Sequence, residues 1–140
     1  MTDPVAAGRL TLIGIGPGGL DYLTRRAERA IRGCDIVVGY RLYLELIIPL
    51  IEDKHYLEFP MGAELERAQE SVRLAQEGKR VALVTGGDPG IYGMAEPVYR
   101  ALGEMDEDAA AAVNLEVIPG VTAATASAAA FALRSTAAAC

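Results

Sequence analysis

Three Pro-Gly pairs, Pro17-Gly18, Pro89-Gly90 and Pro119-Gly120, each stand between a run of strand-forming residues and a stretch with helical spacing. Proline stiffens a turn and cannot donate to a sheet ladder, and glycine admits backbone angles closed to other residues, so each pair ends a strand and turns the chain into a helix. A strand-turn-helix unit used three times confines the fold to a parallel sheet, because parallel neighbours need a crossover and a helix is the usual one. The three turns then lie along the carboxyl edge of one sheet. Open α/β sheets bind ligands there, where strand ends and helix N-termini leave backbone groups unpaired. Taken singly, each turn is also readable as a plain tight βα connection.

Five short runs have strand character: Leu10 to Ile15, Asp35 to Val38, Tyr56 to Phe59, Arg80 to Thr85 and Val113 to Ile118. The spacing predicts helices over Leu23 to Arg32, Tyr40 to Ile51, Ala63 to Glu77, Tyr92 to Leu102 and from Thr122 towards Phe131. In the third of these Leu65, Ala68, Val72 and Ala75 share one face, Glu64, Glu66, Arg67, Glu70, Arg73 and Glu77 cover the rest, and Gly78 supplies the stop. Gly103 to Ala112 reads as an acidic, alanine-rich surface connection. The fold class is therefore α/β, a five-stranded, mainly parallel sheet with helices on both faces. The chain divides into a domain over 1–134 and an atypical tail over 135–140, which has neither strand character nor a helix stop.

Composition limits the function. The 140 residues make one domain, 51% of them are hydrophobic, and the net charge of −6 argues against a surface that neutralises nucleic-acid phosphates. The apolar run Leu42 to Ile51 is broken by Glu45 and Pro49, far short of the roughly 18 apolar residues of a membrane span. Met1 to Gly8 has no basic region, so no signal peptide is expected. Cys34 and Cys140 lie far apart without Cys or His at ligand spacing, which points to a reducing, cytoplasmic compartment and to no metal site. Cys34 reads as a small core residue, and His55, the only histidine, as structural or solvent-facing.

The loops differ in chemistry. Gly14, Gly16 and Gly19 formally match a dinucleotide pattern. Pro17, however, removes an N–H where a pyrophosphate needs one, the next helix starts late, and the second strand ends at Val38-Gly39-Tyr40 without an acid. The second loop, Thr85 to Gly93, carries Asp88 within its glycines; a carboxylate there repels phosphate but suits a neutral or cationic ligand held by backbone groups. Asp88 serves equally as a turn or cap acid, and Thr122 in the third loop as the cap of its own helix. That loop places a hydroxyl and free N–H groups at a helix N-terminus, where a ligand carboxylate is welcome. A zwitterionic, nucleoside-bearing ligand without phosphates fits all three, and S-adenosylmethionine is such a ligand. Met61 and Met94 suit either a flat apolar ligand or core filling, and Tyr40, Arg41 and Tyr43, at the end of the second strand, suit either a ligand contact or a solvated helix start.

The order Gly-x-Gly-Pro-Gly at Gly14 to Gly18, Gly-Gly-Asp-Pro-Gly-Ile-Tyr-Gly-Met at Gly86 to Met94 and Ile-Pro-Gly-Val-Thr-Ala at Ile118 to Ala123 resembles the tetrapyrrole (corrin/porphyrin) methylase family over about Leu10 to Ala130. Val38 to Ile47, Met61-Gly62 and Gly90 to Ala95 are most similar to its branch that methylates precorrin-3B at C-17, with ring contraction, in cobalamin biosynthesis. The resemblance implies a two-domain, homodimeric, S-adenosylmethionine-dependent methyltransferase, with the C-terminal domain absent from this chain. By motif position it implies that Pro17, Gly86, Gly87, Asp88, Ile91, Tyr92, Thr122 and Ala123 hold the methyl donor. It further implies that Pro17 lines the macrocycle side of the cleft; Tyr40, Arg41 and Met94 join it as substrate candidates from their own side-chain chemistry. Some relatives place an aspartate base after the second strand; Tyr40 stands here, so no catalytic residue transfers. Two other readings stand beside this one: a nicotinamide-dinucleotide oxidoreductase domain, from Gly14, Gly16 and Gly19, and a non-enzymatic α/β binding module, from the single-domain length.

Overall fold

The structure, a computed structural model, describes the backbone of residues 8–139 and the side chains of residues 8–132. Five parallel strands, β1 (Gly8–Gly14), β2 (Ile36–Tyr40), β3 (His55–Phe59), β4 (Arg80–Thr85) and β5 (Val113–Ile118), form one sheet in the order β3-β2-β4-β1-β5. All five predicted strands are present, shifted by at most two residues at their starts and ends. The three inner strands β2, β4 and β1 are covered on both faces and read as near-continuous apolar runs for that reason. His55 opens the edge strand β3 and is exposed, as its sequence neighbourhood suggests.

Helices α1 (Arg25–Gly33), α2 (Arg41–Leu46) and α3 (Ile48–Ile51) cover one face, burying Ala27, Ile31, Leu44 and Ile51 against Ile13, Val37 and Val84. Helices α4 (Glu64–Gln76) and α5 (Ala95–Gly103) cover the other, burying Val72, Ala75 and Val98 against Leu10, Val38 and Leu83. A short α6 (Glu107–Ala111) leads into β5, and α7 (Ala123–Ala139) follows it. Cys34 is a buried core residue whose thiol donates to the Ile31 carbonyl at 3.0 Å, and burial pushes that thiol up in pKa. Cys140 lies outside the described residues, and no described helix is long and apolar enough to cross a membrane.

Four details depart from the sequence reading. The predicted helix over Tyr40 to Ile51 is broken at Ile47 (φ −119°, ψ 15°), because Pro49 cannot donate to the turn before it. The connection Gly103 to Ala112 contains α6, which Asp106 caps by accepting from the Ala109 N–H at 2.7 Å. Helix α7 runs past Phe131, so the helical backbone extends through residues 135–139 of the expected tail. Finally, Arg67 belongs to the buried face of α4: it is 4% exposed, with Ser71 and Leu74 beside it.

Arg67 has no carboxylate partner within ion-pair distance among the described residues. One of its terminal nitrogens meets the Met94 sulfur at 3.0 Å, while its Nε is buried without a partner. Burial pushes the guanidinium below its ordinary range. A buried charge with so little compensation is a cost to folding, and only its hydrocarbon stem packs favourably. Arg67→Met should therefore leave stability unchanged or raise it by up to about 2 kcal/mol, whereas Arg67→Ala, which also opens a cavity, should lower it by about 2 kcal/mol. The urea midpoints of the two variants of the intact protein check this; Arg67→Met falling as far as Arg67→Ala would show that the charge itself stabilises.

Candidate functional site

The crossover from β1 goes through α1 to one face, and the one from β4 goes through α5 to the other, although β1 and β4 are neighbours. At such a switch point the two outgoing loops diverge and leave a crevice at the carboxyl edge of the sheet. Before they part, the loops stay paired for one more step: the Ile15 N–H donates to the Thr85 carbonyl at 2.9 Å, and Gly16 and Gly87 exchange N–H···O bonds of 3.2 and 2.8 Å. The third loop closes on the same point. A Cβ on Gly120 would lie 2.2 Å from the Gly87 carbonyl oxygen, and one on Gly14 would lie 2.8 Å from the Gly120 nitrogen, so the three Pro-Gly loops touch through bare backbone. Gly87, with φ +61°, turns its carbonyl into this junction.

Asp88 fastens the loops together. Its Oδ2 accepts from the Gly90 N–H at 2.9 Å, within its own turn, and its Oδ1 accepts from the Gly120 N–H at 3.0 Å, across to the third loop. Both carboxylate oxygens are thus bonded to backbone, the structural role that its place in a glycine turn allows. Thr122 likewise spends its hydroxyl locally: it accepts from the Thr125 N–H at 3.0 Å and shares a hydrogen with the Thr125 hydroxyl at 2.7 Å. The N–H groups of Ala123 and Ala124, in the first turn of α7, have no partner among the described residues.

A cleft of about 400 Å³ opens over this junction. It contains every residue expected to hold the methyl donor: Pro17, Gly86, Gly87, Asp88, Ile91, Tyr92, Thr122 and Ala123. Gly16 and Ala124 complete the loop side. The opposite wall is Tyr43 and Leu46 from α2. Tyr43 stands where it does because Gly86 has no side chain: a Cβ there would be 2.8 Å from the tyrosine Cε1. Tyr40 packs edge-on against Tyr43, with ring centroids 5.2 Å apart. The sequence offered Tyr43 only as an acceptor contact and gave no sign of Leu46, since its glutamate and tyrosine neighbours make α2 look like an ordinary surface helix. Tyr92 is the rim: it is fully exposed and holds φ 53°, the only described non-glycine residue in the left-handed region. For that reason α5 begins at Ala95 and not at Tyr92.

Three residues expected at the acceptor side lie elsewhere. Met94 is 2% exposed and turned into the core against Arg67, so contact with a flat ligand is closed to it in this arrangement. Arg41 is exposed, pairs with Glu45 at 3.2 Å and borders a separate groove with Glu58, Phe59 and Pro60. Tyr40 caps α2 behind Tyr43 and does not line the cleft. The fourth, Pro17, is exposed at the cleft mouth.

Among the described residues no lysine or arginine lines the cleft, and its one acid is spent on backbone. A phosphate would find no countercharge there. Helix α1 starts only at Arg25, capped by Thr24, so its N-terminus does not serve the first glycine loop. These two facts oppose the dinucleotide reading. What remains is a slot of backbone amides, apolar side chains and two tyrosines, with free helix N-terminal N–H groups at one end. Such a slot accepts a nucleoside carrying a carboxylate.

Fold and cleft together define an α/β ligand-binding domain built at a topological switch point. The chain belongs to the tetrapyrrole (corrin/porphyrin) methylases, whose family model matches residues 9–140. It is 44% identical to the cobalt-factor III methyltransferase of Priestia megaterium over 83% of this chain and 22% of that protein. It is 41% identical to the probable cobalt-factor III C(17)-methyltransferase of Salmonella typhimurium over 85% of this chain and 48% of that protein. Among solved structures, the methyltransferase CobJ superposes with a TM-score of 0.80 at 35% identity, over 88% of this chain and 50% of that one. A uroporphyrin-III C-methyltransferase from Thermus thermophilus, solved in complex with S-adenosyl homocysteine, superposes with a TM-score of 0.69 at 29% identity, over 86% and 48%. The chain spans half or less of the length of these relatives.

If Asp88 fastens the loops, Asp88→Ala should lower stability by about 2 kcal/mol, since two backbone N–H groups lose a charged acceptor. Gly120→Ala should do at least as much damage, because its methyl meets fixed backbone. Thermal unfolding midpoints check both; either variant melting with the wild type would show that the loops are held by other means.

Proposed function

We propose that this chain is the donor-binding half of an S-adenosylmethionine-dependent methyltransferase that acts on a precorrin-3-level tetrapyrrole, at C-17, in cobalamin biosynthesis. The observation that carries this reading is the cleft: eight residues from three separate loops, all expected to hold the donor, line one cavity. The names of the relatives, cobalt-factor III C(17)-methyltransferase among them, support the substrate class. The S-adenosyl homocysteine complex of a related structure supports the donor. The half-length match and the exposed apolar residues along the same edge, Met61, Ile91, Tyr92 and Tyr22, suit a second domain that closes the cleft. The same reading has the intact enzyme work as a homodimer in the cytoplasm, on a free small-molecule tetrapyrrole.

When bound, S-adenosylmethionine supplies an electrophilic methyl group on a sulfonium. The residues of this chain do the holding. The Ala123 and Ala124 N–H groups are placed to take the carboxylate of the donor at the positive end of α7. Tyr43, Leu46 and Ile91 offer apolar walls to its nucleoside. Pro17 and Tyr92, at the mouth, are placed to meet the acceptor ring. Methyl transfer to an electron-rich ring carbon gains most from alignment and exclusion of water, so a cleft without an acid-base pair is adequate to it.

Titrating the intact protein with S-adenosylhomocysteine should show saturable binding, and Tyr43→Ala should weaken it about five- to tenfold by removing the aromatic wall. Incubation with S-adenosylmethionine and either cobalt-factor III or precorrin-3B should add one methyl group, read by mass spectrometry. Absence of binding to both sulfur ligands, with binding of a nicotinamide dinucleotide, would overturn the proposal in favour of an oxidoreductase domain.

A further inference from the structure

The amino-terminal edge of the sheet holds a second cleft, of about 190 Å³, roughly 20 Å from the donor site at the other end of β1. Its floor includes Thr11, which is 6% exposed, points between the sheet and α1, and has no hydrogen-bond partner among the described residues. Its hydroxyl opens into the cleft without a protein partner among those residues, free to bond a ligand atom there. The rim is cationic. Arg9, Arg29 and Arg80 line it, and Arg26 stands behind Glu116, the one lining acid.

The acids here are already spent. Glu116 is engaged by Arg26 and, at 3.8 Å, by Arg9, and Asp35 takes Arg80 in a two-pronged pair with contacts of 2.8 and 3.3 Å. Arg29 has no carboxylate partner among the described residues. Lys54 adds a further cation behind the wall, donating to the Cys34 carbonyl at 3.1 Å. Among the described residues, four arginines and a lysine thus gather around two acids, in a chain whose net charge is −6. Like charges are crowded here beyond what local pairing needs, and an anion would relieve the excess.

We propose that this cleft is a binding site for a phosphate group, separate from the methyl-donor cleft. A tetrahedral dianion accepts from the Thr11 hydroxyl and from more than one guanidinium at the same time, and the cavity has room for one phosphoryl group. A larger phosphate ester fits only with the rest of its body outside, across Arg29 and the exposed face of α1.

Calorimetric titration of the intact protein with inorganic phosphate, at fixed ionic strength against chloride, should show saturable one-to-one binding. Thr11→Val, which replaces the hydroxyl by a methyl of the same shape, should weaken it about fivefold to tenfold, and so should Arg29→Gln on the exposed helix. Both variants should bind S-adenosylhomocysteine as the wild type does, which separates this site from the donor cleft and reports that the fold is intact. Ribose 5-phosphate binding about tenfold tighter than inorganic phosphate would identify a phosphoryl group carried on a larger molecule, and equal binding would identify the free ion. Phosphate binding no tighter than chloride or acetate, or unchanged in both variants, would overturn the proposal.

Discussion

The structure depends on a contact between bare backbones. Strands β1 and β4 are paired over six residues and continue into the Gly16–Gly87 bridge, and Gly120 then closes on Gly87 from the other side of β1. Apart from the Pro89 ring against Gly14, the loops meet through backbone, and their polar groups must be satisfied from within. Asp88 meets that need by reaching from the β4 loop to the amide of Gly120. The first two turns are already tied by the Gly16–Gly87 pair, so it is the third that this carboxylate fastens to them. With it, the three turns under the cleft are hydrogen-bonded to one another, which lowers the cost of ordering them around a ligand.

The same junction explains why the cleft has the walls it has. The loops bring almost no side-chain volume to the site, so its bulk must come from elsewhere. It comes from α2, whose entry directly after β2 places Tyr43 over Gly86. The break at Ile47 then turns the chain away before it can cover the cleft, leaving Leu46 as the last residue of the wall. Below, Met94 plugs the space between α4 and α5 and takes the Arg67 guanidinium, so the loop ahead of α5 is anchored to a buried group on a different helix. The exposed strain at Tyr92 is held between that anchor and the Asp88 turn.

Much of this was readable from the chain itself. β-Branched runs ending in Pro-Gly identify the strands because proline and glycine act locally, and the three turns had to share an edge because parallel strands all end on the same side. The eight expected residues were named by motif resemblance; that the three turns carrying them share one edge followed from topology. What could not be read depends on the third dimension. Arg67 lies among Glu64, Glu66 and Glu70 and looks like part of a solvated face, yet the buried stripe of α4 is rotated to include it because two helices, α4 and α5, share that side of the sheet. Met94 follows a ligand-binding motif in sequence but is the residue before a helix, and the first turn of α5 carries its side chain inward. Leu46 had no signal at all, since its role comes from where α2 stops.

Placing donor and acceptor on the proposed reading is then mainly a question of where charge can be tolerated. The cleft has no countercharge for a phosphate, and its only carboxylate is bonded to two backbone N–H groups, so a sulfonium near Asp88 would meet a negative group that is already fixed in place. A carboxylate beside the sulfonium favours the charged donor over the neutral thioether product, so Asp88 on this reading serves to hold the donor, and the rate comes from alignment and exclusion of water. The amide end of α7 acts in the opposite sense on the amino-acid part of the donor, giving its carboxylate a partner without bringing a cation near the sulfur. A site assembled from backbone and one fastened acid is therefore suited to holding a zwitterion, and no arginine lines it among the described residues, whereas three line the cleft at the other end of the sheet.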